Sequence, residues 1–434
     1  MKIAIIGSGI SGLAVAHTLQ GQAELTLFEA GNYFGGHTHT VDVTLPGPTG
    51  PLTHGVDTGF LVFNERTYPK LIALFAELGV ATAKSDMSFS VQVPGGRGSQ
   101  PLEWSGSSLN TVFAQRGNLV NPRFLKMLRE VLRFNALATR IAESGADIEL
   151  MQPLSAFLAQ HSFSDVFRDW YFLPMLGCIW SCPTDQMLQF PVATMIRFCH
   201  NHGLIQVSNR PQWWTVEGGA RHYVEKIVAG VEDKRLNTPV DSVRRDSQGV
   251  WISSRGQTER FDQVVLACHS DQSLALLRDA SAAERATLGA IRYQPNLAVL
   301  HTDTTVLPRQ RRAWAAWNYE RAADSTQEQS RVCLHYLLNL LQPLPFTQSV
   351  VVSLNPVREI APAQVLGSYS YDHPVFDLAA IQAQKQLPTL QGQQGTYFCG
   401  AWTGYGFHED GLASGLDVAR RIGRTLTQTE RLAA

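Results

Sequence analysis

The chain opens with apolar runs separated by glycine-rich turns, which is the pattern of a strand–helix–strand unit. Residues 3–6 are continuously apolar and predict a buried parallel strand, and residues 10–19 have the length and composition of a helix. Residues 25–28 predict a second buried strand. This order predicts an α/β fold in which the first strands lie side by side in a parallel sheet.

Glycines occupy the turn between the first strand and the helix in the order Gly-x-Gly-x-x-Gly. Gly7 permits a tight turn, Gly9 lets the backbone approach a pyrophosphate, and Gly12 lets the helix pack closely on the strand. Glu29 ends the second strand, where a carboxylate accepts hydrogen bonds from a ribose and repels a 2′-phosphate. The unit therefore predicts a dinucleotide site that disfavours NADP, with contacts from Gly7, Gly9, Ile10, Ser11, Gly12 and Glu29.

A pair of glycines, Gly35 and Gly36, follows soon after this acidic residue. The plain NAD fingerprint has no such pair. Two adjacent glycines let the backbone fold back toward the pyrophosphate, and this favours FAD over NAD. We therefore predict FAD as the cofactor.

The residues from Glu29 to the paired glycines resemble the flavin amine oxidase and phytoene desaturase superfamily. In that superfamily an arginine that contacts phosphate usually follows the pair, whereas this chain has His37. Residues 55–60 resemble the Asp-x-Gly loop that borders the flavin. The resemblance implies cofactor contacts from Gly35, Gly36, His37, Thr38, Gly59 and Phe60.

A closer resemblance covers nearly the whole chain. Residues 63–69, 85–91, 301–303 and 406–411 resemble the flavoproteins associated with bacterial cyclopropane fatty-acid synthases and the flavin-binding N-terminal part of the plant enzymes. This resemblance implies an apolar substrate, a modified fatty-acyl chain. It also implies a fatty-acid-modifying methyltransferase as a partner.

A β-meander pattern follows residues 215–220, which resemble the superfamily's re-entry into the cofactor domain. Its strands are predicted at residues 240–243, 250–253 and 263–267. In the superfamily, a valine in the first of these strands meets the adenine through its backbone. Val240 matches that position.

The last part of the cofactor domain is predicted at residues 396–424, where a short strand leads into a final helix. Asp410 is the predicted N-cap of this helix. In the superfamily the helix points its N-terminus at the flavin, and an acid usually stands where this chain has Ala401. The resemblance implies cofactor contacts from Gly400, Ala401, Gly411 and Leu412.

Together, the patterns and the resemblance predict an α/β protein with two interleaved domains. The Rossmann-like FAD-binding domain, with a parallel sheet and a β-meander, is predicted from residues 1–94, 212–290 and 393–434. An α+β substrate domain of the amine-oxidase type is predicted from residues 95–211 and 291–392.

Composition limits the possible partners and the cellular location of the protein. The 434 residues include 44% hydrophobic and only 17% charged residues, and the net charge is −1, so nothing indicates a nucleic-acid partner. The six cysteines are scattered, and no signal peptide or apolar run of membrane-spanning length is present, so we expect a cytoplasmic protein. His200-x-His202 has no acidic or cysteine cluster nearby, and no metal site is predicted.

The candidate catalytic residues precede the final helix. His408 is the first candidate, because an unperturbed pKa near 6.5 suits proton transfer at physiological pH, and Glu409 is the second. Alternatively, both residues only cap the helix. Amine oxidases place a lysine near residues 297–302 to hold a water against flavin N5, and here Asn296 and its neighbours occupy that place.

Three functions remain open. The first is an FAD-dependent oxidoreductase, of oxidase or desaturase type, that passes a hydride from an apolar, modified fatty-acyl substrate to flavin N5. The second is an amine oxidase in the ordinary sense, which the missing lysine disfavours. The third is a flavin-binding partner of a methyltransferase without turnover of its own, which the departures at His37 and Ala401 favour.

A basic amphipathic helix is predicted from residue 122 to about residue 143. One side carries lysine and arginine, so this helix could lie on an anionic lipid surface as a peripheral membrane contact. Glu130 and Glu143 dilute its charge, and an ordinary solvated face is the simpler interpretation.

Overall fold

The structure is a computed structural model. It describes residues 1–47, 49–94, 100–144, 152–180, 183–206, 210–321 and 332–433. Within these residues the fold is mixed α/β, with one parallel sheet and several antiparallel sheets, as the sequence predicts.

A five-stranded parallel sheet carries the N-terminal unit. Its order is β10-β2-β1-β14-β20, so β1 is the central strand. Ile3, Ala4 and Ile5 of this strand are fully buried, as expected for a continuous apolar run in the middle of a parallel sheet. The strands are β1 Lys2–Ile6, β2 Glu24–Phe28, β10 Asp233–Arg235, β14 Gln263–Leu266 and β20 Thr396–Phe398. All three predicted cofactor segments therefore contribute to one sheet.

Two helices, α1 Ile10–Leu19 and α15 His408–Ala433, pack against each other beside this sheet. Their close approach requires glycine, since a Cβ on Gly415 would lie 2.3 Å from the Ser11 carbonyl oxygen. The prediction of Asp410 as the N-cap was wrong. Helix α15 already begins at His408, and the Asp410 carboxylate instead accepts a hydrogen bond from the Phe407 N–H at 3.0 Å.

The predicted meander forms a three-stranded antiparallel sheet, β11 Val240–Asp246, β12 Gly249–Ser254 and β13 Gln257–Phe261. The third of these strands was not predicted, and the strand predicted at residues 263–267 is β14 of the parallel sheet. A hairpin pairs β3 Thr40–Gly47 with β4 Gly50–Asp57, and a further small sheet has the order β5-β9-β6, formed by Phe63–Asn64, Trp213–Val216 and Thr82–Ser85.

A seven-stranded sheet dominates the rest of the molecule, in the order β19-β15-β18-β17-β16-β7-β8. Its strands are β7 Phe89–Val93, β8 Leu102–Ser105, β15 Arg292–His301, β16 Trp317–Glu320, β17 Cys333–Leu337, β18 Val351–Leu354 and β19 Val365–Val375. Strand β7 lies within the segment 1–94 that we assigned to the cofactor domain, yet it pairs with β16. The domain division itself stays a prediction.

The remaining helices pack around these sheets. The predicted helix from residue 122 is confirmed as α4, Pro122–Ser144. The others are α2 Pro69–Leu78, α3 Leu109–Val112, α5 Leu154–Gln160, α6 Asp165–Phe167, α7 Leu173–Trp180, α8 Thr184–Met187, α9 Val192–Asn201, α10 Arg221–Ala229, α11 Ser270–Leu276, α12 Ala282–Leu288, α13 Leu338–Leu341 and α14 Leu378–Gln386. Among the described helices, none combines the length and apolar character needed to cross a bilayer.

Candidate active site

A cavity of about 760 Å³ lies between the carboxyl edge of the parallel sheet and one face of the seven-stranded sheet. This volume lies in the range of ligand and cofactor sites, roughly 300–1,000 Å³. The cavity has a polar end at the glycine fingerprint and an apolar end at strands β16–β18. We call these the cofactor end and the apolar chamber.

The fingerprint turn leaves room for a pyrophosphate at the cofactor end. Gly7 has a φ of +103°, and a Cβ on Gly12 would lie 2.0 Å from the Gly7 carbonyl oxygen, so neither position accepts a side chain easily. A Cβ on Gly9 would meet nothing within 4 Å. Gly9 is also the N-cap of α1 and supplies no side-chain cap, so the first N–H groups of the helix are available to an anion.

The Glu29 carboxylate lines the same end and is held by backbone donors. Its two oxygens accept hydrogen bonds from the N–H groups of Ser8, at 3.0 Å, and Gly31, at 2.8 Å. The Ser8 hydroxyl also donates to Glu29 and accepts from the Gly35 N–H. These bonds orient the carboxylate and join the glycine pair to the fingerprint, while leaving Glu29 acceptor capacity for a ribose.

The structure brings most of the predicted cofactor residues together. Those that line the cavity are Gly7, Gly9, Ile10, Ser11, Glu29, Gly35, Gly36, His37, Gly59, Phe60, Val240, Gly400 and Ala401. The other four predicted residues do not line the cavity and pack behind the residues that do. Gly12 packs on Gly7, the Thr38 hydroxyl bonds to Tyr223 at 2.6 Å, Gly411 packs on α1, and Leu412 is buried.

Three histidine rings meet at the cofactor end, and we call them the histidine cluster: His37, His269 and His373. The His37 ring lies 6.1 Å from His269 and 5.8 Å from His373. Burial first, then its histidine neighbours, lower the pKa of His37 to about 3, and burial lowers the pKa of His373 to about 4. Among the described residues that line the cavity there is no lysine or arginine, so the basic side chains of its wall are these histidines, His202 and His408.

Two members of this cluster were missed in the sequence. His269 stands three residues after β14, at the carboxyl edge where dinucleotides bind, and this position could have identified it. His373 had no such local signal. It reaches the cavity because β19 pairs with β15, where Asn296 bonds to the His373 Nδ1 at 3.2 Å.

His408 also lines the cavity, but the expectation of a pKa near 6.5 was wrong. Burial lowers the pKa of His408 to about 3, so its ring is neutral at physiological pH. Its Nε2 hydrogen-bonds the Tyr223 hydroxyl at 2.7 Å, and its ring stacks on Phe60 with 3.9 Å between centroids. This arrangement suits a residue that holds the flavin-facing turn in place.

The structure places Glu409 away from the cavity. Its carboxylate oxygens accept hydrogen bonds from the backbone N–H groups of Lys70, at 2.9 Å, and Leu71, at 3.0 Å, and thereby cap α2. Its Oε1 also lies 3.7 Å from the Lys70 ammonium group. These contacts fit the capping alternative better than proton transfer to a bound substrate.

The apolar chamber is walled by aromatic and aliphatic side chains from α7, α9 and the seven-stranded sheet. Its lining includes Met87, Ile179, Trp180, Phe198, Leu204, Trp213, Trp317, Tyr336, Val352 and Leu354. Of the described cavity-lining residues only Glu29 and Asp372 are acidic. Both lie at the cofactor end, Glu29 beside the fingerprint and Asp372 near His269. At the place where amine oxidases were expected to have a lysine, Asn296 is buried without lining the cavity and Leu297 is exposed, while the next residue of β15, Ala298, lines the cavity.

A second cavity of about 290 Å³ adjoins the chamber, and we call it the antechamber. The two cavities share Met87, His202, Leu204 and Trp213. Its rim includes the exposed residues Asp86, Ser107, Arg210 and Gln212. The antechamber therefore offers a route from the protein surface into the apolar chamber.

Residues 10–312 match the model of a protein family described as flavin containing amine oxidoreductase. The chain belongs to this family. The match covers more than half of the chain, and it makes the protein an FAD-dependent oxidoreductase. No curated protein matches the sequence significantly.

Solved structures of the same overall fold cover almost the full chain. A cyclohexylamine oxidase from Brevibacterium oxydans superposes with a TM-score of 0.69 at 18% identity over 98% of this chain and 99% of its own. A CLA-producing fatty acid isomerase from P. acnes has a TM-score of 0.67 at 16% identity, over 96% and 98%. A putrescine oxidase has a TM-score of 0.67 at 15% identity, over 97% and 99%. At such identities the likeness shows the fold alone.

The residues at the cofactor end fit the FAD that the family requires. The open space at Gly9, the uncapped start of α1 and the oriented Glu29 would hold its pyrophosphate and ribose. Val240 begins β11 and lines the end where the adenine is expected. When bound, FAD supplies hydride acceptance at its flavin ring.

Proposed function

We propose that this member of the flavin-containing amine oxidoreductase family oxidises an apolar, modified fatty-acyl chain. The observation that supports this most directly is the apolar chamber. Trp180, Phe198, Trp213, Trp317 and Tyr336 surround a space that continues from the cofactor end. Such a wall stabilises a hydrocarbon chain and excludes bulk water.

Amine oxidation is the second candidate, because the family name and two structural relatives point to amines. An ammonium substrate buried in this chamber would need a carboxylate partner. Among the described residues of the chamber wall none is acidic, and the lysine position of amine oxidases has no lysine here. These features favour the acyl substrate over the amine.

The substrate's modification and the partner are inferred from the resemblance to flavoproteins associated with cyclopropane fatty-acid synthases. We propose a methylated or cyclopropanated acyl chain as substrate and the modifying methyltransferase as a partner. Oxidation beside the modified carbon would remove one hydride and one proton. Bound FAD would supply the hydride acceptor, and the proton would leave to water or a protein base. His202 lines both cavities, but burial lowers its pKa to about 4, so it is neutral when substrate enters.

Anaerobic mixing tests the proposal. The FAD-loaded protein is mixed in separate experiments with a cyclopropane-bearing phospholipid, the matching saturated phospholipid, cyclohexylamine and putrescine, and flavin absorbance is followed. We expect bleaching by the modified lipid alone. Bleaching by an amine and by no acyl lipid would establish amine oxidation. Tight binding to the methyltransferase without bleaching by any compound would support the non-catalytic partner instead.

A further inference from the structure

Exposed apolar side chains are concentrated in one segment of the chain, residues 109–132. Leu109, Leu119, Val120 and Leu132 are 79%, 52%, 69% and 59% exposed, the four highest values among the large hydrophobic residues that the structure describes as exposed. Leu125, which is 42% exposed, lies on the same side of α4 as Leu132, seven residues earlier. Single exposed leucines are ordinary, but such a concentration marks an interaction surface.

The same helix carries a row of basic residues on its outer face. Lys126, Arg129, Arg133 and Arg140 are exposed and recur at spacings of three, four and seven residues. Arg129 falls between Leu125 and Leu132 on this face. The outer face of α4 is therefore both apolar and cationic, and we call it, with Leu109, Leu119 and Val120, the docking surface.

Glu130 does not dilute this charge. It is 7% exposed and faces inward, where its carboxylate accepts hydrogen bonds from the backbone N–H of Ser164, at 3.4 Å, and from the Ser164 hydroxyl. Glu143, near the end of the helix, is the exposed acid that remains on α4. In the described part of the chain, no acidic side chain pairs with Lys126, Arg129 or Arg140. The docking surface therefore has a stronger positive charge than the whole helix.

One part of the docking surface, at Leu109, lies near the antechamber. Ser107 lines the antechamber, and Leu109 follows it by two residues. The inner face of α4 packs against α9, and Phe198 of α9 lines the chamber. A membrane seated on this surface would present its acyl chains next to the antechamber.

We propose that this surface docks the protein on an anionic membrane, from which the acyl substrate enters through the antechamber. Exposed leucines next to cations that no acidic side chain of the described residues pairs with suit the boundary between acyl chains and anionic headgroups. Nucleic acid would use the cations but leave the leucines in water. The route for the substrate rests on the proposed function, whereas the docking itself does not.

Vesicle co-sedimentation of the full-length, FAD-loaded protein tests the docking. The vesicles contain phosphatidylcholine alone or phosphatidylcholine with phosphatidylglycerol. The charge variant is Lys126→Gln/Arg129→Gln/Arg140→Gln, and the apolar variant is Leu125→Ser/Leu132→Ser. Arg285→Gln on α12 and Leu378→Ser on α14 are matched controls, because both side chains are exposed elsewhere on the surface.

We expect the wild type and both controls to bind the anionic vesicles, and more weakly at high salt. The charge variant should bind at least tenfold more weakly, since each basic residue near an anionic surface contributes about fivefold. The apolar variant should lose at least threefold. Circular dichroism and flavin content should stay unchanged in both variants.

Two results would overturn the docking. One is absence of binding to anionic vesicles by the wild type. The other is an apolar variant that binds like the wild type while an oligonucleotide competes fully, which would make the surface a general polyanion site. Flavin bleaching by detergent-dispersed lipid is measured separately, so a failure of the proposed oxidation is distinguishable from a failure of docking.

Discussion

FAD binding should be coupled to proton uptake at the histidine cluster. Without cofactor, burial and the neighbouring histidines lower the pKa of His37 to about 3, so its ring is neutral at pH 7. His37 directly follows Gly36, and a Cβ on Gly36 would lie 3.1 Å from the Gly9 Cα at the pyrophosphate turn. A negatively charged pyrophosphate placed there favours the protonated ring.

The size of the coupling follows from the pKa values. An opposite charge nearby raises the pKa of a cation by about 1–3, which would bring His37 to about 6 at most. With the full rise to about 6, FAD would bind about tenfold more tightly at pH 5 than at pH 7, a difference of about 1.4 kcal/mol, and a smaller rise would give a smaller ratio. Because the pKa is higher in the bound state, this added affinity is present at low pH and is lost as pH rises through the bound-state value.

Equilibrium dialysis of the cofactor at pH 5, 6 and 7 measures this dependence, and calorimetry in buffers of different ionisation enthalpy counts the protons. His37→Gln should reduce the ratio of affinities to below threefold. His222→Gln is the matched control, because His222 is exposed on α10 and does not line the cavity, and it should keep the tenfold ratio. An affinity that is independent of pH in the wild type, or an unchanged ratio in His37→Gln, would refute the reasoning.

Three further predictions concern packing and access. Gly12→Ala should abolish FAD retention and lower the melting temperature, because the new Cβ would lie 2.0 Å from the Gly7 carbonyl oxygen; normal flavin content in this variant would contradict the packing. Glu320→Gln should destabilise the fold by about 3–5 kcal/mol at pH 6, since it breaks a buried ion pair with His335. Burial lowers the pKa of His335, but Cys333 and Glu320 outweigh this and raise it to about 9, so the wild type should lose stability between pH 6.5 and 9 in urea titrations. The variant should lose less over this range, because only the contribution of Cys333 remains. Leu204→Trp should plug the passage between antechamber and chamber and slow bleaching by the modified lipid at least tenfold with flavin content unchanged, and unaltered bleaching would exclude this route.

The parts of the site that the sequence predicted are those set by local spacing. The fingerprint needs only a strand, a turn and a helix in immediate succession, so Gly7, Gly9 and Glu29 could be placed from their order alone. The paired glycines were found in the same way. The strand boundaries agree to within a residue for β2, because the apolar run ends where the sheet ends.

The apolar chamber and the histidine cluster could not be predicted in this way. His37 and His373 are 336 residues apart, and they meet because β19 pairs with β15 in a register that no local pattern specifies. The pKa of His408 depends on the same kind of information. An exposed imidazole would titrate near 6.5, and only the packing around His408 shows that it does not.

The burial of Glu130 could have been predicted from the helical period of α4. It lies three residues after Met127 and four before Phe134, and both of these side chains are fully buried. The helical period therefore places Glu130 close to the inner face, and a buried carboxylate there needs a partner, which Ser164 supplies. Counting charge over the whole of α4 assigned this residue to the solvent side and weakened the case for a lipid surface. Counted by face, the outer side of α4 has four cations before its first exposed acid, Glu143, and that is the charge an anionic membrane would meet.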